Sequence, residues 1–361
     1  MPRLKPWLDR QLADSQMVAL LASLAMIFGL LSLFGQMLAP LLAAIALAYV
    51  LDGVVELLCR CRVPRLLSIS LVALAAILFL LFSLLTVLPL LSGQVGKLIT
   101  QAPNLVESLR TWLHLVQIQY AGWIDPDYVQ KLASMAVEKM QDWGGAIFSF
   151  SLASIPGLIT LLVYAVLVPV LVFFLLKDKG ELITWGQRFL PRERTLVNQV
   201  WGEVDVQIGN YIRGKFWEMV IVGVVTWLAL FFCGHQYALL LGALTGLSVW
   251  IPFVGAAVVT VPVVALSFFQ WGMTDATLYA LIAYTVVQLL DANVLIPWMF
   301  SEVVNLHPIA IIVAILVFGS FWGVLGVFIA IPMAALVRSV LQVMMDRHEM
   351  ASPVEAKAGE D

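Results

Sequence analysis

Eight long apolar runs punctuate this chain, at residues 17–35, 37–58, 66–91, 152–176, 216–233, 238–270, 276–300 and 308–345. A helix needs about 20 such residues to cross the hydrocarbon core of a bilayer. Only 12% of the residues are charged. Ordinary soluble domains hold about 25%, so a soluble core of this length would lack its charged shell. The runs are continuous rather than alternating, which excludes a β-barrel. The expected fold is an all-α polytopic membrane protein, a helical bundle of about 7–8 membrane segments.

The first run follows sixteen residues that include Arg3, Lys5 and Arg10, and passes almost unbroken into the second, so it reads as an uncleaved anchor. Pro40 marks an expected tight turn between these two runs. Arg60, Arg62 and Arg65 follow the second run, and two crossings put both basic clusters on one face, cytoplasmic by the positive-inside rule. Cys59, Cys61 and Cys233 are too few for a disulfide framework and offer no metal set. No cofactor is expected, and the net charge of −3 gives no reason to expect nucleic acid as a partner.

The expected organisation is a tail with three spans over 1–91, an extracytoplasmic helical module over 92–150 and a fourth span over 151–176. Basic amphipathic cytoplasmic helices follow over 177–215, then a core with two interrupted segments over 216–345 and a cytoplasmic tail over 346–361. The module holds the turn signal GWIDPDY and the amphipathic piece NLVESLRTWLHLV. In 177–215, Leu196, Val197, Val200, Trp201, Val204 and Ile208 fall at helical spacing. That helix is expected to lie along the membrane surface or on the protein's own bundle.

Residues 238–270 and 308–340 are too long for one ordinary crossing and short for a pair. WIPFVG, with Pro252 and Gly255, interrupts the first; GSFWGVLG, with Gly319, Gly323 and Gly326, interrupts the second. Both then end alike, in VPVVAL around Pro262 and IPMAAL around Pro332, a weak internal repeat. Helix breakers at bilayer depth free backbone groups that lipid cannot satisfy, so protein or a water-filled cavity must cover them. Both segments are either broken crossings or re-entrant hairpins, and length favours hairpins. Paired interruptions of this kind point to a transporter binding site.

Within LDANVLIPWMF, helical spacing puts Tyr284, Gln288 and Asp291 on one face. Asn293 lies on an adjoining face, and Pro297 deprives the Asn293 carbonyl of its helical donor. An ionised Asp at bilayer depth costs about 2.5–3.5 kcal/mol, so the face suits a proton or sodium site, or a structural interhelical bond. A second polar group, Gln207, Asn210, Tyr211 and Arg213 with Asp205 and Lys215 beside it, reads as a cytoplasmic gate or as interfacial anchoring. KDKGE, Asp52 and Glu56 read as span ends at the headgroups, and His235 and His307 as loop residues.

Five stretches in order carry a resemblance: LVPVLVFFLLKDKGEL (167–182), NYIRGK (210–215), IPFVGA (251–256), LDANVLIPWMFSEVVNLHP (290–308) and WGVLGVFIAIPMAAL (322–336). They resemble the AI-2E transporter family over nearly the whole chain. The resemblance implies a bacterial inner-membrane permease and a homo-oligomer. Autoinducer-2 export and sodium/proton antiport are both attributed within the family, so the implied cargo is a small polar solute or cation. An intramembrane protease is disfavoured: Asp52, the one partner carboxylate for Asp291, sits at a span end, and neither G-x-S-G nor H-E-x-x-H occurs. A passive channel or a non-transporting scaffold remains the alternative.

Overall fold

The computed structural model describes residues 15–119, 155–188, 195–252, 254–300 and 307–357, with the isolated positions 131, 134 and 135. All regular structure among the described residues is helical. Among the described residues, five stretches are long and apolar enough to cross a membrane: Met37–Arg60, Arg65–Gln101, Val200–Phe232, Val254–Trp271 and Asp275–Phe300. Shorter apolar helices accompany them at Leu162–Lys177, Ala238–Ser248, Ile309–Gly323 and Gly326–Val340. Side chains such as Met37, Leu85 and Phe232 are at least three-quarters exposed, which suits hydrocarbon and not water. GWIDPDY, Arg3, Lys5, Arg10, Arg192 and Arg194 lie outside the described residues.

The expected turn at Pro40 is absent. Helix α1 runs from Ser15 to Arg60 with Pro40 inside it, a length of about 69 Å at 1.5 Å per residue. The proline removes one donor, that for the Gln36 carbonyl, but MLAPLLAAIA offers no Gly, Asn or Asp to reverse the chain. The good helix formers on either side therefore carry the helix through. With one helix in place of two crossings, counting crossings no longer places the N-terminal basic cluster on the face of Arg60.

Helix α2 (Arg65–Phe82), a π-helical turn (Ser83–Val87) and α3 (Leu88–Gln119) follow without a break, so the chain passes residue 91 as helix. A second π-helical turn, Asp291–Leu295, joins α9 (Asp275–Leu290) to α10 (Ile296–Phe300). Each π turn ends two residues before a proline, Pro89 or Pro297. A proline cannot bond the carbonyl four residues back, and its ring crowds that carbonyl; a wider turn relieves both.

Helices α4 (Ile155–Lys177) and α5 (Lys179–Gln187) lead to α6 (Thr195–Phe232), which merges the expected surface helix with the fifth span. Val200, Val204, Tyr211, Lys215, Glu218, Val222, Thr226 and Leu230 are all buried, with spacings that keep them on one helical stripe. Of the two expected locations, the helix therefore takes the protein's own bundle.

Both interrupted segments fold back as hairpins. In the first, α7 (Ala238–Ser248) returns as α8 (Val254–Trp271), and a Cβ on Gly255 would lie 1.8 Å from the Ser248 carbonyl oxygen. In the second, α11 (Pro308–Lys357) breaks at Gly323, whose φ of 59° and ψ of −134° are not helical. A Cβ on Gly326 would lie 1.9 Å from the Phe318 carbonyl oxygen. In a straight helix, eight residues would separate those two by about 12 Å. The arms approach so closely that only glycine fits at the crossing.

The chain forms two compact units, residues 1–73, 168–217 and 295–361 in one, 74–167 and 218–294 in the other. In the first unit, Ala44 and Val55 of α1 pack with Ile69 and Val72 of α2 and Val172 and Leu176 of α4. A second layer joins Val50, Tyr211, Ile212, Phe300, Ile311 and Ile331. The second unit centres on Leu230, Tyr237, Leu241, Val263, Ala280 and Tyr284. There Gly223, Gly242 and Gly246 bring α6 and α7 together; a Cβ on Gly242 would lie 2.8 Å from the Gly223 carbonyl oxygen.

The loop between α6 and α7 is tied down from two sides. The Tyr237 hydroxyl donates to Gln101 Oε1 at 2.6 Å, and the Leu240 N–H donates to Gln94 Oε1 at 2.9 Å. Gln270 accepts from the Gln236 N–H and donates to the Gly234 carbonyl, both at 2.9 Å. His235 is 4% exposed, its Nδ1 accepts from the Tyr237 N–H at 3.1 Å, and its ring meets Trp271 edge-on. Burial holds the imidazole pKa down at about 4.

Alanine at Gly255 or Gly326 should prevent its hairpin from closing and destabilise the protein by about 1–3 kcal/mol or more. Gly93, with nothing within 4 Å of an added Cβ, is the control, and its alanine variant should be neutral or gain up to about 1 kcal/mol. Thermal unfolding in detergent measures both. Because the folded His235 pKa lies below the unfolded 6.5, the unfolded chain binds the proton first. Stability should therefore fall as pH drops from 6.5 to about 4 and level off below that, and His235→Gln should flatten this part of the curve.

Candidate functional site

The face predicted on α9 lies within the second unit. Tyr284 is 3% exposed, and its hydroxyl lies 3.1 Å from Thr260 Oγ1 on α8. Thr260 already donates to the Ala256 carbonyl at 2.7 Å, so the phenol is the donor in that pair. One turn on, the Gln288 Nε2 is buried and has no acceptor among the described residues. Asp291 begins the π turn, with its Oδ1 buried. Tyr284, Gln288 and Asp291 thus keep the common face that their spacing implies.

The π turn adds a residue and rotates the helix beyond it. Asn293 is exposed, and its Nδ2 donates back to the Leu289 carbonyl at 2.9 Å. Its amide is spent on its own helix instead of joining Asp291. Pro297 stands exposed in α10. Phe300, three residues on, is 7% exposed and packs in the first unit at Gly214, where a Cβ would lie 2.6 Å from the ring.

The second predicted group divides. Tyr211 is 2% exposed and turns into the core, its ring 6.0 Å from that of Phe300. Asn210 and Arg213 bond each other, the guanidinium donating to Asn210 Oδ1 at 3.1 Å, while Gln207 is half-buried. Arg213 and Asp205 face α1. The Tyr49 hydroxyl donates to Asp205 Oδ1 at 2.5 Å, and the Tyr49 ring lies 3.2 Å from a Cβ position on Gly209. Arg213 Cδ lies 3.8 Å from that of Gly53. Nearby on α1, Asp52 accepts from Lys179 at 2.9 Å, which ties α1 to α5. Two carboxylates and two cations therefore lie along α1 at its contacts with α5 and α6.

Glu218 is the residue that sequence reasoning missed. It is 1% exposed and is the only charged residue in the run 216–233. Lys215, 6% exposed, stands three residues earlier on the same stripe, with Nζ 5.2 Å from the Phe300 ring centre. Extending the spacing Val204, Ile208, Tyr211 and Lys215 through the expected helix boundary would have found Glu218. Among the described residues no group of three or more His, Cys, Asp or Glu side chains could hold a metal.

These helices and hairpins define a multi-pass membrane protein. Residues 21–346 match the family described as AI-2E family transporter, and the chain belongs to that family. It is 41% identical over 343 residues to PerM of Escherichia coli (strain K12), a permease by name, covering 95% of this chain and 97% of that one. It is 29% identical to YueF of Bacillus subtilis (strain 168), a transport protein by name, over 83% of this chain and 82% of that one. It is 22% identical to the AI-2 transport protein TqsA of Escherichia coli (strain K12), over 91% and 92%. The family is thus one of permeases and transport proteins.

A double-mutant cycle of Tyr49→Phe and Asp205→Asn, read by denaturation in micelles, should return a coupling of about 1.5–3 kcal/mol, the range for a hydrogen bond to a charged group. Additive effects would mean that the pair does not hold α1 on α6.

Proposed function

We propose that this chain is a permease of the bacterial inner membrane, not an enzyme, and moves a small polar solute or ion coupled to a proton or sodium gradient. Tyr284, Gln288 and Asp291 form its solute- or cation-handling face, with Asn293 and Pro297 setting the π turn beside it. The observation that carries this reading is the Gln288 amide, buried without an acceptor among the described residues, one turn from a buried Asp291 carboxylate oxygen. Polar groups of this kind persist in a span where something polar visits them. The hairpin around Pro252, Gly255 and Pro262, in the same unit, offers the solute backbone groups of its own. Asn210 and Arg213, with Gln207 and Tyr211 beside them, act as a gate at the basic end of the bundle. That end, carrying Arg60, Arg62, Arg65 and Lys177, faces the cytoplasm. The exposed apolar flanks suit lipid and a homo-oligomer of this chain.

Interrupted hairpins also suit a passive pore, because selectivity filters use exposed backbone too. Saturable, gradient-driven flux separates a carrier from the ohmic currents of a pore. The name of TqsA makes AI-2 the first solute to test, and sodium the first ion. In proteoliposomes, Asp291→Asn should lower gradient-driven flux at least tenfold while circular dichroism and elution volume stay unchanged. Undiminished, pH-dependent flux through that variant would remove Asp291 from the pathway.

A further inference from the structure

We propose that the turn joining α1 to α2 is a binding site for the phosphate headgroup of an anionic phospholipid, held by Arg60, Arg62 and Arg65. The first observation is backbone geometry. Arg62 has a φ of 66°, the only positive value at a non-glycine residue among the described residues. The Arg62 N–H donates to the Cys59 carbonyl at 3.0 Å, and the Val63 N–H donates to the Leu58 carbonyl at 3.3 Å. These two bonds make the helix-ending motif whose left-handed position glycine normally fills. Glycine would form the same turn without strain, so what the arginine adds is its guanidinium.

The second observation is charge. Arg60, Arg62 and Arg65 are all exposed, and none makes an ion pair among the described residues. The carboxylates nearby are otherwise placed. Asp52 holds Lys179 at 2.9 Å, Asp178 lies 3.8 Å from Lys177, and Glu56 and Glu181 are exposed. No acidic residue occurs between Leu57 and Leu67. Guanidinium groups match phosphate oxygens with paired N–H donors.

Depth decides which phosphate. The stretches Met37–Arg60 and Arg65–Gln101 end and begin at this turn, which places it at the boundary of hydrocarbon and water. Beside the arginines, Leu57, Leu66 and Leu67 are 57–60% exposed, an apolar flank for an acyl chain and not for a soluble anion. The turn is also fixed in place. Val55 and Ile69 pack in one core layer with Leu176, and Ser68 Oγ accepts from Cys59 Sγ at 3.6 Å while donating to the Val63 carbonyl at 3.5 Å.

The test is thermal unfolding of the full chain in a nonionic detergent, with dioleoylphosphatidylglycerol, dioleoylphosphatidylcholine or inorganic phosphate added. Phosphatidylglycerol should raise the midpoint, and the other two should not. The variant R60Q/R62Q/R65Q should lose most of that rise. Arg62→Gly relieves the backbone, so it should match or exceed the parent midpoint without lipid, yet show a smaller rise with phosphatidylglycerol. It carries the test by itself if the triple variant does not fold. A full rise in either variant, an equal rise with phosphatidylcholine, or one reproduced by phosphate alone would overturn the proposal.

Discussion

A backbone N–H or C=O left without a partner in hydrocarbon costs several kcal/mol, and the architecture of this protein follows from that cost. Helices satisfy their own backbone, so α1, the α2–α3 rod and α6 each run longer than any single crossing requires. Where a proline removes a donor, the chain continues by widening into a π turn, as before Pro89 and Pro297, or passes straight through, as at Pro40. Where the helix does break, the two arms close on each other at a glycine. Gly255 and Gly326 are those closures, and each is followed six or seven residues later by the proline of the repeat.

The same constraint explains which parts of the fold could be read from sequence. Apolar runs marked the helical segments, because hydrocarbon leaves no other spanning structure for a chain without strand alternation. The two hairpins were legible from their length and their central Gly and Pro. The turn at Pro40 was misread, because proline alone does not distinguish a reversal from a helix that tolerates it, and MLAPLLAAIA holds no Gly, Asn or Asp to favour the reversal. Helix α6 was divided in two because its first half carries charge on the exposed side. The buried stripe runs through both halves without a change of period, and only that stripe reveals Glu218.

The geometry of the candidate site was legible to the extent that it is local. Tyr284, Gln288 and Asp291 lie on one helix, and 3.6-residue spacing placed them together. Thr260, which receives the Tyr284 hydroxyl, sits on the hairpin 24 residues earlier. Tyr49 and Asp205 are separated by 156 residues. No local pattern announces either pair. Asn293 shows the converse: it is near Asp291 in sequence, but it is exposed and its amide bonds its own helix. Side chains two residues apart do not face each other on a helix, so closeness in sequence alone did not bring this pair together.

The polar groups of the bundle differ in what holds them, and that difference bears on function. Tyr49 with Asp205, Arg213 with Asn210 and Lys179 with Asp52 are matched pairs with good geometry. Tyr49 and Asp205 join α1 to α6, and losing one member leaves the other without its partner inside the bundle, so this pair resists rearrangement unless both helices move together. That is the behaviour of a clasp, which stays shut or opens as a whole. The Gln288 amide is different: its Nε2 is buried with two donors and no acceptor among the described residues. A visiting oxygen gains a hydrogen bond there without displacing a protein partner, so binding carries no cost of breaking an existing bond. For the solute-handling face proposed above, this means that an oxygen reaching the Gln288 amide has no protein partner among the described residues to displace, whereas the Tyr49–Asp205 pair must part before anything else can bond to it.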